Sequence, residues 1–453
     1  MTTTLDTIAP TLDTLALWEW LEFAVRWLHV VAAIAWIGSS FYFIALDLGL
    51  RKAARSPAGV MGEAWQVHGG GFYHIQKYGV APDHMPDDLT WFKWEAYTTW
   101  LSGALLLAIV YWAGAELFLI DHERRPMSAW VAVPLSALVI VAGWLVYDRL
   151  CRLFLARGNE GGEGGQHPFF NDTGLFVVLF VFLSLSGWAL THLFTGRAAF
   201  IHVGAMTATI MAANVAMVII PNQKIVVADL IAGRRPDPVY GQIAKQRSLH
   251  NNYLTLPVIF LFLSNHYPLA TSTAHSWAII ALVLVMGAVI RHYFNTHHRT
   301  GRRENWTWGV AAGLFVAMIA LSLAPAFRDD APNALTAGGG ALAASDPGPV
   351  AETGGVVPSG LDRGQRALIA SPLFAEASGV VQGRCSMCHA RAPLWEGLSH
   401  PPMGVVLETD VDIAREAHRI ASQSAASHAM PPGNITGMEP AERALLARWV
   451  AGE

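Results

Sequence analysis

Eight apolar segments occupy most of the first 326 residues and restrict the possible folds more than any other feature of this chain. Each is close to the roughly 20 residues that an α-helix needs to cross a lipid bilayer. The sixth is the shortest and contains Pro257, so seven spans is the alternative count. The predicted spans are residues 17–46, 97–119, 128–150, 172–194, 198–220, 252–268, 274–294 and 306–326. Residues 1–327 are therefore predicted to form a polytopic membrane helix bundle of about eight spans.

Composition and loop charge agree with a membrane protein. Only 14% of the residues are charged, against about 25% in a soluble domain, and the net charge of −4 gives no reason to expect a nucleic-acid partner. With eight spans, the loops on one side, counted together with the span ends that flank them, hold seventeen Lys and Arg residues, Arg247 and Arg291 among them. The loops on the other side hold only Arg124, Arg125 and Arg197. Because loops rich in Lys and Arg stay in the cytoplasm, we expect a multi-pass protein of the bacterial inner membrane with both termini in the periplasm.

A change of composition separates the bundle from a second folded region. Residues 328–359 are rich in Gly, Ala, Pro and Ser, which predicts a flexible linker. Residues 360–453 show helical periodicity again and end in an amphipathic segment with Leu445, Leu446 and Trp449 on one side. A region of this size has a small core of its own, which a covalently bound group would help to fill.

The stretch "GRCSMCHA" carries the attachment signature of a c-type haem. Cys385 and Cys388 would form thioethers with the haem, and His389 would be the proximal iron ligand. Met430, in "SHAMPPGN", is the preferred distal ligand, and a Met/His pair raises the reduction potential relative to two histidines. The other candidate distal ligands are His428 and Met403. Residues 360–453 are thus predicted to be a small, class-I-like cytochrome c domain with one covalent haem c, and the chain as a whole to be all-α.

A zinc site and a redox dithiol are the two other interpretations of the cysteine pair. A zinc site would need two more ligands at suitable spacing. A redox dithiol would not need His389 directly after the pair. The predicted periplasmic location favours haem attachment, because c-type haem is attached in that compartment.

Polar residues inside the predicted spans are candidates for a second site, because burying them in a membrane is costly. Arg26 and His29 lie one turn apart in the first span. Arg26 lies near the end of its span, where a cation that reaches the membrane surface is the alternative interpretation. For any one of the histidines in the spans, a hydrogen bond between packed helices is a simpler interpretation than a ligand role.

The densest polar stretch precedes the proline of the sixth span. His250, Asn251 and Asn252 lead into Pro257, and irregular backbone at membrane depth is tolerated where it lines a cavity or the protein interior. The first long loop adds Glu95 within a cluster of tryptophans, which suggests a structure lying against the bundle.

Four stretches resemble one family, the bacterial membrane-bound, cytochrome-linked urate oxidases (urate hydroxylases). They are "HVVAAIAWIGSSFYFIALD", "PDDLTWFKWEAYTTWLSG", "HNNYLTLPVIFLFLSNHYP" and "FAEASGVVQGRCSMCHA" with its downstream "AMPPGNITGM". The resemblance implies oxidation of urate to 5-hydroxyisourate, with electrons passing to the fused cytochrome and on to a soluble cytochrome c or a cytochrome c oxidase. The first span is also similar to membrane families in which its histidine is associated with haem b, which suggests that His29 binds a second, non-covalent haem.

The residue types fit urate, a planar and mostly monoanionic molecule. Arg26, Asn251 and Asn252 would supply a cation and amides, whereas His250 or Glu95 could take part in substrate binding or proton transfer. Two alternatives stay open at this point. The protein could be a quinol-oxidising electron-transfer subunit, or a solute transporter with a cytochrome appendage.

Overall fold

The computed structural model describes residues 12–79, 85–122, 124–158, 170–271, 273–323, 361–395, 398 and 401–453. The predicted linker at 328–359 lies outside these residues. The helices of the N-terminal part are α1 (Leu12–Gly49), α2 (Trp94–Leu106), α3 (Ala115–Phe118), α4 (Ala129–Gly158), α5 (Asp172–Leu193), α6 (Gly196–Ala213), α7 (Ile220–Ile231), α8 (Pro238–Leu263), α9 (Pro268–Thr271), α10 (Ser276–Thr300) and α11 (Trp306–Leu323). The π-helical turns Leu107–Trp112 and Asn214–Ile219 continue α2 and α6, and the 3-10 turn Ser264–His266 follows α8.

Within the described part of the chain, six helices are long and apolar enough to cross a membrane. They are Leu17–Gly49, Ala129–Gly158, Asp172–Leu193, Gly196–Ile231, Ser276–Thr300 and Trp306–Leu323. These correspond to six of the eight predicted spans, and the segments 97–119 and 252–268 are not among them. Segment 97–119 is interrupted, because α2 changes to a π-helical turn and ends before the four-residue α3. Segment 252–268 covers only the last part of α8, which begins in a polar stretch at Pro238.

The prediction of an all-α fold needs one correction, in the first long loop. Strands β1 (Val60–His68) and β2 (Gly71–Tyr78) form an antiparallel hairpin. Its two-residue turn is Gly69–Gly70, with φ angles of 57° and 80°, and positive φ at both positions is what a tight hairpin turn requires. An ion pair between Lys77 and Asp47 holds the hairpin against the end of α1.

Helices α6 and α10 lie at the centre of the bundle. Helix α6 packs against α4, α5 and α8, and α10 packs against α1, α5, α8 and α11. Phe200 and Ile210 of α6 are fully buried. A side chain at Gly287 of α10 would overlap the ring of Pro257 in α8, so the glycine allows α10 to pass the proline at close range, as small residues do between apolar helices.

Hydrogen bonds between connecting segments define the two ends of the bundle. At the first, here called the His122 end, the backbone N–H of Thr195 donates to the Leu119 carbonyl oxygen at 3.1 Å, and the Thr195 hydroxyl donates to the Phe118 carbonyl oxygen at 2.8 Å. At the second, the Arg51 end, the Arg51 guanidinium donates to the carbonyl oxygen of His298 at 3.0 Å.

Residues 361–453 form a separate group of short helices with its own core. These are α12 (Arg363–Ala370), α13 (Phe374–Arg384), α14 (Ser386–His389), α15 (Asp410–Arg415), α16 (Ala417–Ile420) and α17 (Pro440–Ala451), with a π-helical turn at Ala421–Ala426 and 3-10 turns at Pro402–Gly404 and Pro432–Asn434. The predicted closing helix is confirmed as α17, and Leu445, Leu446 and Trp449 are all buried. The indole N–H of Trp449 donates to the Leu368 carbonyl oxygen at 3.0 Å, which ties α17 to α12.

Candidate functional site

The Cys-x-x-Cys-His motif forms a single helical turn. Cys385 follows α13, and the backbone N–H groups of Cys388 and His389 donate to its carbonyl oxygen at 3.1 and 3.0 Å. His389 Nδ1 lies 2.9 Å from the Val405 carbonyl oxygen. Because a carbonyl only accepts, Nδ1 carries the proton and Nε2 keeps its lone pair for a metal. The turn therefore presents two thiols and one imidazole from adjacent positions, as proximal haem attachment requires.

The two thiols lie in buried surroundings that are unlike those of a reactive redox pair. Both cysteines are free, and burial raises the pKa of Cys385 to about 12, whereas reactive dithiols have a lowered pKa. No three His, Cys, Asp or Glu side chains among the described residues form a group that could hold a metal ion by themselves. A zinc site would need such a group, but a haem needs only one or two axial ligands from the protein. Cys385, Cys388 and His389 are therefore the groups of this turn that could hold a haem c.

Met430 lies in a loop that is held by hydrogen bonds at both its backbone N–H and its carbonyl oxygen. Its backbone N–H donates to the Gln423 carbonyl oxygen at 2.9 Å, and its own carbonyl accepts from Arg443 Nη1 at 2.8 Å. Met403 is 96% exposed. His428 is exposed on the C-terminal region and lines a cavity facing the His122 end. These environments favour Met430, because a distal ligand must be fixed and partly shielded from water.

His29 is oriented by helix α2. Its Nδ1 lies 3.0 Å from the Thr99 carbonyl oxygen and 3.1 Å from Ser102 Oγ. A Cβ atom at Gly103 would come within 2.8 Å of the imidazole, so the glycine is what lets the two helices meet here. The Nδ1 contact leaves Nε2 unprotonated, which is the state of a histidine that binds haem iron. This side chain can supply one axial ligand to a haem in the bundle.

A first buried polar group, the Arg247 network, joins three helices near the Arg51 end of the bundle. Its members are Tyr147, Asp148, Asn214, Arg247, His250 and Asn251, each less than 9% exposed. Arg247 Nη2 donates to Asp148 Oδ1 at 2.8 Å. The Tyr147 hydroxyl lies 2.8 Å from His250 Nδ1. Asn214 Nδ2 donates to Asn251 Oδ1 at 2.9 Å. The cation in this network is therefore balanced by a carboxylate, and His250 and Asn251 are held within it.

A second group, the Arg291 cluster, comprises Asn252, Arg291, Asn295 and the ring of Phe41. Asn252 Oδ1 accepts from Arg291 Nε at 3.2 Å and from Asn295 Nδ2 at 3.0 Å. Arg291 Nη2 donates to Asn295 Oδ1 at 3.1 Å. The guanidinium lies 4.1 Å from the centre of the Phe41 ring, which brings α1 into the cluster. The three polar residues come from α8 and α10 and are buried.

The Arg291 cluster differs from the Arg247 network in charge. Arg291 is 5% exposed, and the hydrogen-bonding side chains around it in the described structure are two neutral amides. Asn252 Nδ2 is buried without a hydrogen-bond partner among the described residues. A buried cation without a counter-charge is expensive. The cluster therefore has the charge and the spare donor of an anion site.

Two predicted site residues lie elsewhere. Arg26 pairs with Glu22 on α1, and its side chain is 42% exposed, as expected for the surface cation that was the alternative interpretation. Glu95 is in the first turn of α2, where its backbone carbonyl accepts from the Thr99 hydroxyl at 2.6 Å. It therefore belongs to the segment that orients His29, and the structure does not join Arg26 to either buried group.

Sequence reasoning missed the two buried arginines. Arg247 and Arg291 were counted among the basic residues of loops, whereas both lie inside helices. The spacing of Arg291 and Asn295, four residues apart in "RHYFN", was a usable signal, because residues so spaced share one face of a helix.

Comparison with known proteins identifies the N-terminal part of the chain. The model of the family described as "Urate oxidase N-terminal" matches residues 15–322, which includes His29, the Arg247 network and the Arg291 cluster. The match ends before the Cys-x-x-Cys-His turn. No curated protein and no solved structure matches the chain. Since the family model covers more than half of the sequence, this chain belongs to the urate oxidase N-terminal family.

Proposed function

We propose that this protein is a membrane-bound urate oxidase that converts urate to 5-hydroxyisourate and passes the electrons to a haem c attached in residues 361–453. The family match supports the urate chemistry. The turn of Cys385, Cys388 and His389, with Met430 as distal ligand, supports the covalent electron acceptor. His29 supports an additional haem b in the bundle.

The observation that carries the proposal is the neutral surroundings of Arg291. Its guanidinium is buried between α8, α10 and α1 with two asparagine amides as polar partners. A monoanionic, planar substrate would balance that charge. Urate carries both ring carbonyls and N–H groups, so it can accept hydrogen bonds from the guanidinium and from the unpartnered Asn252 Nδ2. Adjacent aromatic surface is provided by Phe41.

The reaction is balanced by water and two electrons. Urate and one water molecule give 5-hydroxyisourate, two protons and two electrons. Haem accepts one electron at a time, so two successive transfers complete the oxidation.

The proposed location follows from the loop charges. The Arg51 end carries most of the Lys and Arg residues of the connecting loops, including Arg152, Arg234 and Arg299, and would face the cytoplasm. The His122 end, both termini and the haem c would then lie in the periplasm. A soluble cytochrome c or a cytochrome c oxidase would receive the electrons there.

Replacement of Arg291 tests this proposal. Oxidised, purified full-length protein is mixed with urate without oxygen, and the rise of the reduced c-haem band is followed. We expect Arg291→Gln to slow reduction by subsaturating urate about 100-fold, the equivalent of about 3 kcal/mol. Reduction by ascorbate should not change, and the control Arg26→Gln should behave as the unsubstituted protein.

Two results would overturn parts of the proposal. Reduction of the unsubstituted protein by a quinol and not by urate would make it a quinol-oxidising subunit. Equal rates with urate for Arg291→Gln and the unsubstituted protein would remove Arg291 from the substrate site.

A further inference from the structure

The C-terminal region touches the bundle through the turn that follows Met430. The backbone N–H of His122 donates to the Gly433 carbonyl oxygen at 3.0 Å. His122 lies in the connection after α3, and Gly433 lies in the 3-10 turn Pro432–Asn434. A main-chain hydrogen bond between two segments more than 300 residues apart in the chain is a specific contact, because it depends on backbone position and not on a mobile side chain.

Gly433 is the residue that allows this approach. Its φ angle is 54°, in the left-handed region that favours glycine. A Cβ atom at this position would overlap the Ile120 carbonyl oxygen and lie 3.4 Å from Thr195 Cγ2. Any larger residue would therefore have to push the turn away from the bundle.

Both sides of the contact are held firmly. On the bundle side, the backbone N–H and the hydroxyl of Thr195 bond to Leu119 and Phe118, at the end of α3. On the other side, Arg443 Nη1 donates to the Met430 carbonyl at 2.8 Å, and its Nη2 donates to Asn434 Oδ1 at 3.1 Å. Arg443 thus ties the distal-ligand residue and the contact turn into one unit.

The bundle surface is also continuous with the segment that orients His29. Helix α2 carries Thr99, Ser102 and Gly103 against His29. The chain then runs through the π-helical turn Leu107–Trp112 and α3 directly to the contact at Ile120 and His122. One stretch of about 25 residues therefore connects the His29 site with the contact.

We propose that the Pro432–Asn434 turn docks the Met430 side of the haem c site against the His122 end of the bundle, and that electrons enter the C-terminal region through this contact. The inference rests on the proposed function for the direction of electron flow. The occupant of the surface is the chain's own C-terminal region. The contact fixes the ligand-bearing loop relative to the bundle, and a transfer step slows when the two groups lose their relative position.

The test compares Gly433→Ala with Gly437→Ala. Gly437 also has a positive φ, 64°, but a Cβ atom there would come no closer than 4.0 Å to its neighbours, at the end of the Arg384 side chain. Both variants therefore introduce similar backbone strain, and only Gly433→Ala obstructs the bundle. Haem staining and the Met-to-iron charge-transfer band first establish that each full-length variant carries an intact haem c site.

The readouts are hydrogen exchange at the His122 amide and the rate of haem reduction. We expect Gly433→Ala to lose protection at His122 and to be reduced by urate at least about tenfold more slowly, while ascorbate reduces it at the normal rate. Gly437→Ala should match the unsubstituted protein in all three respects.

The docking inference and the proposed function fail differently. Unchanged protection at His122 in Gly433→Ala, or lost protection with an unchanged rate of reduction by urate, overturns the docking element. If urate reduces none of the proteins, the proposed function is wrong. The exchange experiment still shows whether the docking contact at His122 exists.

Discussion

Asn251 and Asn252 are neighbours in the chain, but their side chains enter two separate buried groups. Asn251 accepts from Asn214 on one side of α8, and Asn252 accepts from Arg291 on the other. Successive residues of a helix point about 100° apart, so α8 lies between the two groups and contributes to both. It separates Arg247, which has a carboxylate partner, from Arg291, whose described hydrogen-bond partners are neutral amides.

Replacing His29 should remove one haem and leave the other. Because Nδ1 is held by the Thr99 carbonyl and Nε2 is left for iron, we expect His29→Ala to lose b-type haem and to retain haem c. A pyridine haemochrome spectrum of the purified protein counts both types. His192→Ala, at an exposed histidine of α5, is the control. Only c-type haem in the unsubstituted protein would rule out His29 as a ligand.

Met430 and Met403 should respond differently to substitution. Met430→Ala should lower the reduction potential of haem c and abolish the Met-to-iron charge-transfer band, since a thioether ligand raises the potential. Met403→Ala, at a residue that is 96% exposed, should leave both unchanged. A redox titration followed by absorbance measures the two effects. An unsubstituted protein without the Met-to-iron band, whose haem spectrum changes in His428→Gln, would give that histidine the ligand role.

Replacing Asp148 should lower the stability of the folded protein. Asp148→Asn leaves the guanidinium of Arg247, 3% exposed, without its carboxylate, and breaking such a buried pair costs about 3–5 kcal/mol. The other partner of Asp148 is Arg152, and the Arg152 side chain is 73% exposed. Arg152→Gln should therefore lower the free energy of unfolding by no more than about 1 kcal/mol. Thermal unfolding in detergent compares the two. Equal midpoints would contradict the account of the Arg247 network.

Local patterns predicted the parts of the site that depend on adjacent residues. The spacing of Cys385, Cys388 and His389 needs only one helical turn, so its geometry could be expected from the motif. The partners of His29 could not, because Thr99 and Ser102 come from another helix. Arg291 was missed for a similar reason: its burial depends on how α8 and α1 pack around α10.

The fold was predictable where the apolar segments are long and uninterrupted. Each of the six membrane-length helices contains most of a predicted span, although Gly196–Ile231 continues well past the predicted end at residue 220. The segment 97–119 was overestimated, because apolarity does not reveal the break between α2 and α3. The hairpin was missed, although Gly69 and Gly70 mark its turn. Both errors lie where backbone geometry and not composition decides the structure.

The most direct test of urate oxidation coupled to haem c is a stoichiometric titration without oxygen. Known amounts of urate are added to the oxidised full-length protein with a redox-inactive detergent, and reduced haem and 5-hydroxyisourate are measured together. We expect two electrons to appear on haem for each 5-hydroxyisourate formed, with no hydrogen peroxide on readmission of oxygen in the presence of a terminal oxidase. Formation of 5-hydroxyisourate without haem reduction, or no reaction with urate at all, would contradict the account.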